Sequence, residues 1–163
     1  MLEFERSCYR YQALQTYGIP REQPSFREFL ERGTYTIAED DPGLVQTASR
    51  MSGGRILERV QLVRAPLSDY LRYVFPFFQR CAALGEDLRI LEESWVATGD
   101  LPDFDFVLLD DTTVIKLHYS PDDGSVVGRE LLSDASLDDF RAYRALALER
   151  SIPFLEYQRQ LSG

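Results

Sequence analysis

The strongest constraint on the fold is an alternation of strand and turn sequences between residues 105 and 127. Residues 105–109, Asp-Phe-Val-Leu-Leu, are followed by Asp110-Asp111 and then by the β-branched and aromatic run Thr113–Tyr119. Asp122-Asp123-Gly124 returns the chain to Val126-Val127. Aspartate and glycine accept the backbone conformations of tight turns, whereas β-branched and aromatic residues favour strands. The pattern predicts three consecutive antiparallel strands.

Two further strands are expected earlier in the chain. Ile56, Val60 and Leu62 alternate with polar residues after Arg55, and residues 88–91 form a short apolar run. Alternation of this kind is typical of a half-buried strand. The sheet should therefore have about five strands.

Helices are predicted from start and stop signals. Ser25 and Glu28 form a capping-box pattern before a helix near 26–32, and Gly33 is a C-terminal stop. Asp41-Pro42 is a typical helix start. The four expected helices span 26–32, 42–52, 66–75 and 136–152, and a further turn or two is expected over 154–161. Pro76 is expected to bend or end the third helix, since proline has no amide proton to donate.

A chain of 163 residues without a linker or an internal repeat is expected to form one domain. We predict an α+β fold with a mainly antiparallel sheet and helices packed on it. Residues 1–40, which are rich in aromatic side chains and interrupted by Gly18, Pro20 and Pro24, are expected to form an extended and helical segment. That segment should pack on a core formed by residues 41–163.

Charge limits the range of partners. The 27 acidic residues outnumber the 18 basic ones, and the net charge is −9. Such a field opposes attraction to a phosphate backbone, so direct binding to nucleic acid is not expected. The start of the chain lacks the features of a secretory signal, and no apolar run reaches the length of a membrane span. We therefore expect a cytoplasmic protein that does not enter membranes.

The two cysteines, Cys8 and Cys81, are far apart in sequence and have no neighbouring histidine to complete a zinc site. Buried free thiols are the favoured interpretation. A disulfide between them is the alternative, and a cytoplasmic setting disfavours it.

The only histidine, His118, lies two residues after the only lysine, Lys116. Strand alternation places both on one face, opposite Ile115 and Leu117. Together with Arg129 on the next strand, they could bind an anion such as phosphate. A histidine on a half-solvated strand is the simpler interpretation, because no nucleophile motif accompanies it.

Five aspartates cluster between residues 100 and 111. Oxygen donors in this number could hold a hard cation, but their spacing does not match a calcium-binding loop. Hydrogen bonds from side chains to turn backbone explain them more simply, and no metal site is predicted. The residues are Asp100, Asp103, Asp105, Asp110 and Asp111.

Arg144 falls within the apolar stripe of the last long helix. A guanidinium there must reach water or find a buried carboxylate. Arg72, Glu86 and Arg89 lie at the ends of predicted elements and could join it in one polar network. Such a network would support packing or, alternatively, clamp a ligand.

No phosphate-binding loop, dinucleotide fingerprint, zinc-protease motif or nucleophile elbow is present, and no cofactor is expected. The chain nevertheless resembles a family of small actinomycete proteins described as a domain of unknown function, often encoded beside helix-turn-helix regulators. The resemblance spans about residues 55–157. It rests on residues 59–63, 66–72, 85–91, 105–111 and 114–119, on Tyr143-Arg144 and on Ile152-Pro153-Phe154.

A remoter similarity is to phospholipase D-like modules. Those enzymes use His-x-Lys, with the histidine as nucleophile, whereas this chain has the reversed order Lys116-x-His118. The similarity therefore implies a catalytically silent copy.

Two functions are expected from these observations. The first is a non-enzymatic accessory protein that binds a protein partner, for which the family's gene neighbourhood implies a helix-turn-helix regulator. Acidity would suit a basic surface on such a partner. The alternative is an anion sensor, or an enzyme of unknown reaction, that uses the face of Lys116 and His118.

Overall fold

A computed structural model describes residues 2–163, and its centre is a mixed sheet of seven strands. The order across the sheet is β6-β5-β4-β1-β2-β3-β7. The strands are β1 Ser7–Gln12, β2 Ile56–Val63, β3 Asp87–Glu92, β4 Phe106–Leu109, β5 Thr113–Tyr119, β6 Val126–Leu131 and β7 Ile152–Pro153. The helices are α1 Gln23–Arg32, α2 Pro42–Ser52, α3 Asp69–Ala83, α4 Leu137–Arg150 and α5 Phe154–Ser162.

The single-domain α+β class is confirmed, and four of the six strand pairings are antiparallel. The sheet has seven strands, however, where about five were expected, and two of its pairings are parallel. β1 pairs in parallel with β2, and β2 pairs in parallel with β3. Helices α1 and α2 connect the first pair and α3 connects the second. A helical crossover returns the chain to the same end of the sheet, so the next strand runs parallel to the one before.

Residues 1–40 were expected to pack on a core formed by residues 41–163, but they contribute a strand to the sheet itself. Ser7–Gln12 lies at the centre of the sheet, between β2 and β4. The strand predicted after Arg55 is therefore the second strand of the fold.

The hairpins predicted over residues 105–127 are present, and the third strand continues to Leu131. Asp110 and Asp111 form the first turn with positive φ angles of 52° and 58°, a conformation that aspartate tolerates better than most residues. The carboxylate of Asp110 accepts hydrogen bonds from the backbone amides of Glu5, Arg6 and Ser7. These bonds lower the pKa of Asp110 and attach the start of the chain to the hairpin.

The predicted starts hold for α2 but not for α3, which begins at Asp69 with Ser68 as its cap, three residues after the predicted start at Pro66. Asp41 accepts from the amides of Gly43 and Leu44 at the start of α2. Helix α1 begins at Gln23, before the predicted start, and Ser25 is not its cap. Pro76 does not end α3, which continues to Ala83.

The sheet is covered on both faces. Helix α4 packs on one face, where Phe140 and Ala147 contact a cluster with Tyr11, Val60 and Phe106. Helices α2, α3 and α5 contribute to a cluster on the other face. Within residues 2–163, no helix is long and apolar enough to cross a membrane.

Candidate ligand-binding site

A pocket of about 430 Å³ lies on the face of the sheet opposite α4. Strands β1 and β2 form its floor, and helices α2 and α3 contribute its walls. The segments 17–22 and 124–126 line its remaining side. Its volume falls within the range typical of sites for small molecules.

Three side-by-side residue pairs on β1 and β2 form the floor. Cys8 lies beside Leu57, Arg10 beside Arg59, and Gln12 beside Gln61. Successive side chains of a strand point to opposite faces, so the residues between them, Tyr9 and Tyr11, belong to the core under α4. Strand β1 therefore carries Arg10 and Gln12 on the pocket face and two tyrosines on the face of α4.

Arg59 is already paired. Its Nε lies 2.8 Å from Oε1 of Glu86, and its Nη2 lies 3.3 Å from Oε2. The guanidinium also lies over the ring of Phe78, 5.2 Å from the centroid. Both charged residues are buried, so this pair is part of the framework and offers little charge to a ligand.

The two glutamines differ in how fully they are bonded. The Nε2 of Gln61 donates to the carbonyls of Leu14 and Leu62, each at 2.9 Å. The Oε1 of Gln12 is buried and has no hydrogen-bond partner within residues 2–163. A buried acceptor without a donor lowers stability by about 1–3 kcal/mol. A ligand that donates a hydrogen bond to this oxygen would remove that cost.

Arg50 and Arg10 supply positive charge without a carboxylate partner. Arg50 is 8% exposed, donates to the carbonyl of Leu2 at 3.0 Å and lies over the ring of Phe4. Arg10 is half-buried. Neither takes part in any ion pair found across residues 2–163. Burial and the nearby guanidinium groups of Arg10 and Arg55 lower the pKa of Arg50, so its surroundings disfavour its charge.

The opposite wall is aromatic and acidic. The hydroxyl of Tyr70 donates to Glu22 at 2.7 Å, and burial raises the pKa of Glu22. The hydroxyl of Tyr17 donates to the buried carboxyl of Asp105 at 2.7 Å. Burial also raises the pKa of Asp105. These bonds fix two tyrosine rings at the edge of the pocket.

Gly18 brings two loops together beside the pocket. Its amide donates to the carbonyl of Gly124 at 3.0 Å. A Cβ atom at position 18 would lie 2.0 Å from the carbonyl oxygen of Asp123, so only glycine permits this approach.

The residues predicted to bind an anion do not form one cluster. Lys116 and His118 share the sheet face of α4, away from the pocket, because Val107 and Ile115 pair on the pocket face. His118 contacts Glu130 at 2.9 Å, and Lys116 lies over the ring of Phe104. Arg129 pairs with Leu117 and therefore lies on the opposite face.

The four residues expected to form one polar network make separate contacts. Arg144 donates to Glu58 at 2.7 Å on the α4 face, which satisfies the expectation of a carboxylate partner. Arg89 donates to the hydroxyl and carbonyl oxygens of Ser151. Arg72 contacts the exposed Asp69, whereas Glu86 binds Arg59 in the pocket. Of the four, only Glu86 lines the pocket.

Two of the five clustered aspartates, Asp105 and Asp110, accept hydrogen bonds from backbone amides, as the simpler interpretation predicted. Asp105 accepts from the amide of Ala13, and Asp110 accepts from three amides at the start of the chain. Asp111 forms an ion pair with Arg141. No group of three or more histidine, cysteine, aspartate or glutamate residues within positions 2–163 is arranged to hold a metal ion.

Cys8 and Cys81 are buried and free, as the favoured interpretation predicted. Burial raises the pKa of both thiols. Neither is therefore activated as a thiolate.

Sequence reasoning missed Arg10, Gln12 and Arg50. The signal for the first two is the alternation of Cys8, Arg10 and Gln12 with Tyr9 and Tyr11, which is the pattern of a strand with one polar face. No local signal marks Arg50, because its position beside Arg10 depends on how α2 packs on the sheet.

Comparison with known proteins gives a family but no activity. A family model described as a domain of unknown function, DUF6879, matches residues 1–159. No curated protein and no solved structure matches the chain.

Proposed function

This chain belongs to the DUF6879 family, and from that premise we propose that it binds a small anionic ligand in the pocket between β1, β2, α2 and α3. The observation that carries the proposal is the pair Arg10 and Arg50, two guanidinium groups that line the pocket without a carboxylate partner within residues 2–163.

Physical chemistry favours an anion at this position. A buried charge is costly unless it is paired, and Arg50 is more than nine-tenths buried. A guanidinium presents several donors in a fixed plane and binds carboxylate or phosphate with two hydrogen bonds. Glu22 and Glu86 also line the pocket, but they bind Tyr70 and Arg59, so the ligand would supply the negative charge that contacts Arg10 and Arg50.

The groups in the pocket support binding more than catalysis. His118, the only histidine of the chain, lies on the other face of the sheet. Burial raises the pKa of Cys8 and of the tyrosines Tyr17 and Tyr70. These side chains therefore stay protonated at neutral pH and are poor nucleophiles or bases.

Replacing Arg10 with methionine tests the proposal. Inorganic phosphate, pyrophosphate and a panel of phosphorylated and carboxylated metabolites would be screened by thermal shift and then by calorimetry. We expect at least one to raise the melting temperature of the wild-type protein. Its affinity should fall by about tenfold or more in Arg10→Met, since a charge-assisted hydrogen bond contributes about 1.5–3 kcal/mol.

The matched control is Arg27→Met, which makes the same change of charge on the exposed surface of α1. It should bind as the wild type does. Lys116→Met tests the anion site expected from the sequence, on the other face of the sheet. Equal losses in Arg10→Met and Arg27→Met, or a loss only in Lys116→Met, would contradict the proposed pocket.

We propose protein binding at strand β6 as a second function, and it has its own observation. Strand β6 is an edge of the sheet, and its side chains Val127 and Leu131 are 65% and 72% exposed. An uncovered apolar edge strand can pair with an extended segment of another protein. The net charge of −9 favours a partner with a basic surface, and the partner proposed is the helix-turn-helix regulator that the family resemblance implies.

Leu131→Lys tests this second function. The chain would be co-expressed with a helix-turn-helix regulator from the same genome, and the complex would be isolated by a tag on the chain. The regulator should be retained by the wild type and by the control Leu155→Lys, which changes an exposed leucine of α5. It should be lost from Leu131→Lys. Equal retention by all three would exclude β6 as the interface.

A further inference from the structure

The polar groups of the pocket that remain unpaired are not all alike. Arg10 and Gln12 are two residues apart on the same face of β1, which places their backbones roughly 7 Å apart along the strand. Arg10 and the neighbouring Arg50 are positively charged and favour an anionic group of the ligand. Gln12 is a neutral amide, and its Oε1 lacks a donor within residues 2–163. A ligand that meets both demands has an anionic group at one end and a hydrogen-bond donor at the other.

The neighbours of these groups cannot meet the same demands. Arg59 is held by Glu86, and the amide of Gln61 is held by backbone carbonyls. These bonds hold both side chains in place on the floor of the pocket, so their donors are not free to bind a ligand. Arg10 and Gln12 on the floor and Arg50 on α2 therefore constrain the chemistry of the ligand, and Arg21 and Gln46 add further polar groups to the lining.

The walls between the two ends are aromatic. Tyr70, Phe77 and Phe78 line the pocket from α3, and Phe77 is only partly buried. Aromatic side chains stack on the flat faces of nucleobases, and the amide of glutamine pairs with the amino-bearing edge of adenine. A volume of about 430 Å³ suits one nucleotide.

A nucleic acid polymer is a poor occupant. The net charge of −9 opposes the approach of a long phosphate backbone. The hydrogen bond between Gly18 and Gly124 also joins two loops at one side of the pocket, so a polymer could not pass between these loops. A single nucleotide needs no further surface.

On the basis of the anion site proposed above, we infer that the pocket binds a nucleoside monophosphate whose base carries an exocyclic amino group. The phosphate lies at Arg10 and Arg50, and the amino group of the base donates to Gln12.

The test compares ligands that differ only at the amino group. Adenosine monophosphate and inosine monophosphate share phosphate and ribose, but inosine has a carbonyl in place of the amino group. Calorimetry would give both affinities, with ribose 5-phosphate as the ligand without a base. We expect the wild type to prefer the adenine nucleotide by about tenfold, the scale on which one good base contact discriminates.

Two variants assign the preference to Gln12. In Gln12→Met, affinity for adenosine monophosphate should fall to that for inosine monophosphate, while affinity for ribose 5-phosphate should change by less than about twofold, because a neutral side chain replaces another. Gln12→Glu keeps an acceptor oxygen at the same position, and it provides a second test if Gln12→Met does not fold. It should weaken all phosphates yet still prefer the adenine nucleotide.

The outcomes separate this inference from the proposed function. Phosphates that bind through Arg10 with equal affinity for both nucleotides would overturn the nucleotide assignment and leave the anion site standing. A preference that survives in Gln12→Met would also overturn it. Failure of every anion to bind would overturn both.

Discussion

Glu86→Gln is expected to lower the free energy of unfolding by about 3–5 kcal/mol, because it leaves the buried guanidinium of Arg59 without its counter-charge. The carboxylate is held by two hydrogen bonds of 2.8 and 3.3 Å, and both residues are less than one-tenth exposed. Urea denaturation followed by circular dichroism would measure the change.

The matched control is Asp69→Asn, which makes the same kind of change in the exposed pair of Asp69 and Arg72. Exposed pairs contribute about 0–1 kcal/mol, so this variant should be close to the wild type. The double variant Arg59→Met/Glu86→Leu should recover much of the loss, since replacing both buried charges with apolar groups is often neutral. Similar small effects of Glu86→Gln and Asp69→Asn would show that the buried pair is not needed for stability.

Phe106→Ala is expected to cost about 3–5 kcal/mol, the usual range for removing a large buried aromatic side chain. Phe106 is fully buried at the start of β4. Its ring centroid lies 4.8 Å from that of Phe140 on α4 and 5.4 Å from that of Tyr11 on the central strand. The substitution would leave a cavity where the helix joins the sheet.

Phe104→Ala is the control for Phe106→Ala. Phe104 is two residues away and only partly buried. Its loss should cost clearly less, because less apolar surface leaves water there on folding. Thermal unfolding of both variants would provide the comparison. If both lowered the melting temperature equally, the ring cluster around Phe106 would not be the main contact between sheet and α4.

The two predictions concern the two faces of one sheet, and the faces have different roles. On the α4 side, β1 and β2 contribute aromatic and aliphatic side chains to a closed core. On the other side, the same strands place arginine and glutamine residues beneath a pocket. The buried pair of Arg59 and Glu86 lies on this floor beside Arg10, which has no carboxylate partner within residues 2–163.

Much of the local structure was predictable from the sequence because its signals are local. The aspartate turns of the β4–β6 meander, the Asp41 cap of α2 and the Gly33 end of α1 each depend on a few neighbouring residues. Pro76 shows the limit of such signals, because the helix around it continues despite the missing amide. The carboxylate partner of Arg144 was expected in kind, but its identity as Glu58 was not.

The sequence by itself determined a single α+β domain, its net charge, most of its strands and helices, and the absence of known catalytic motifs. Only the tertiary structure decided that β1 is the central strand, that three strands are parallel, and that Arg10, Gln12 and Arg50 meet in one pocket. The physical reason is the range of the interactions. Turns, caps and alternation arise between residues a few positions apart, whereas strand order and the pairing of buried charges depend on contacts between distant parts of the chain.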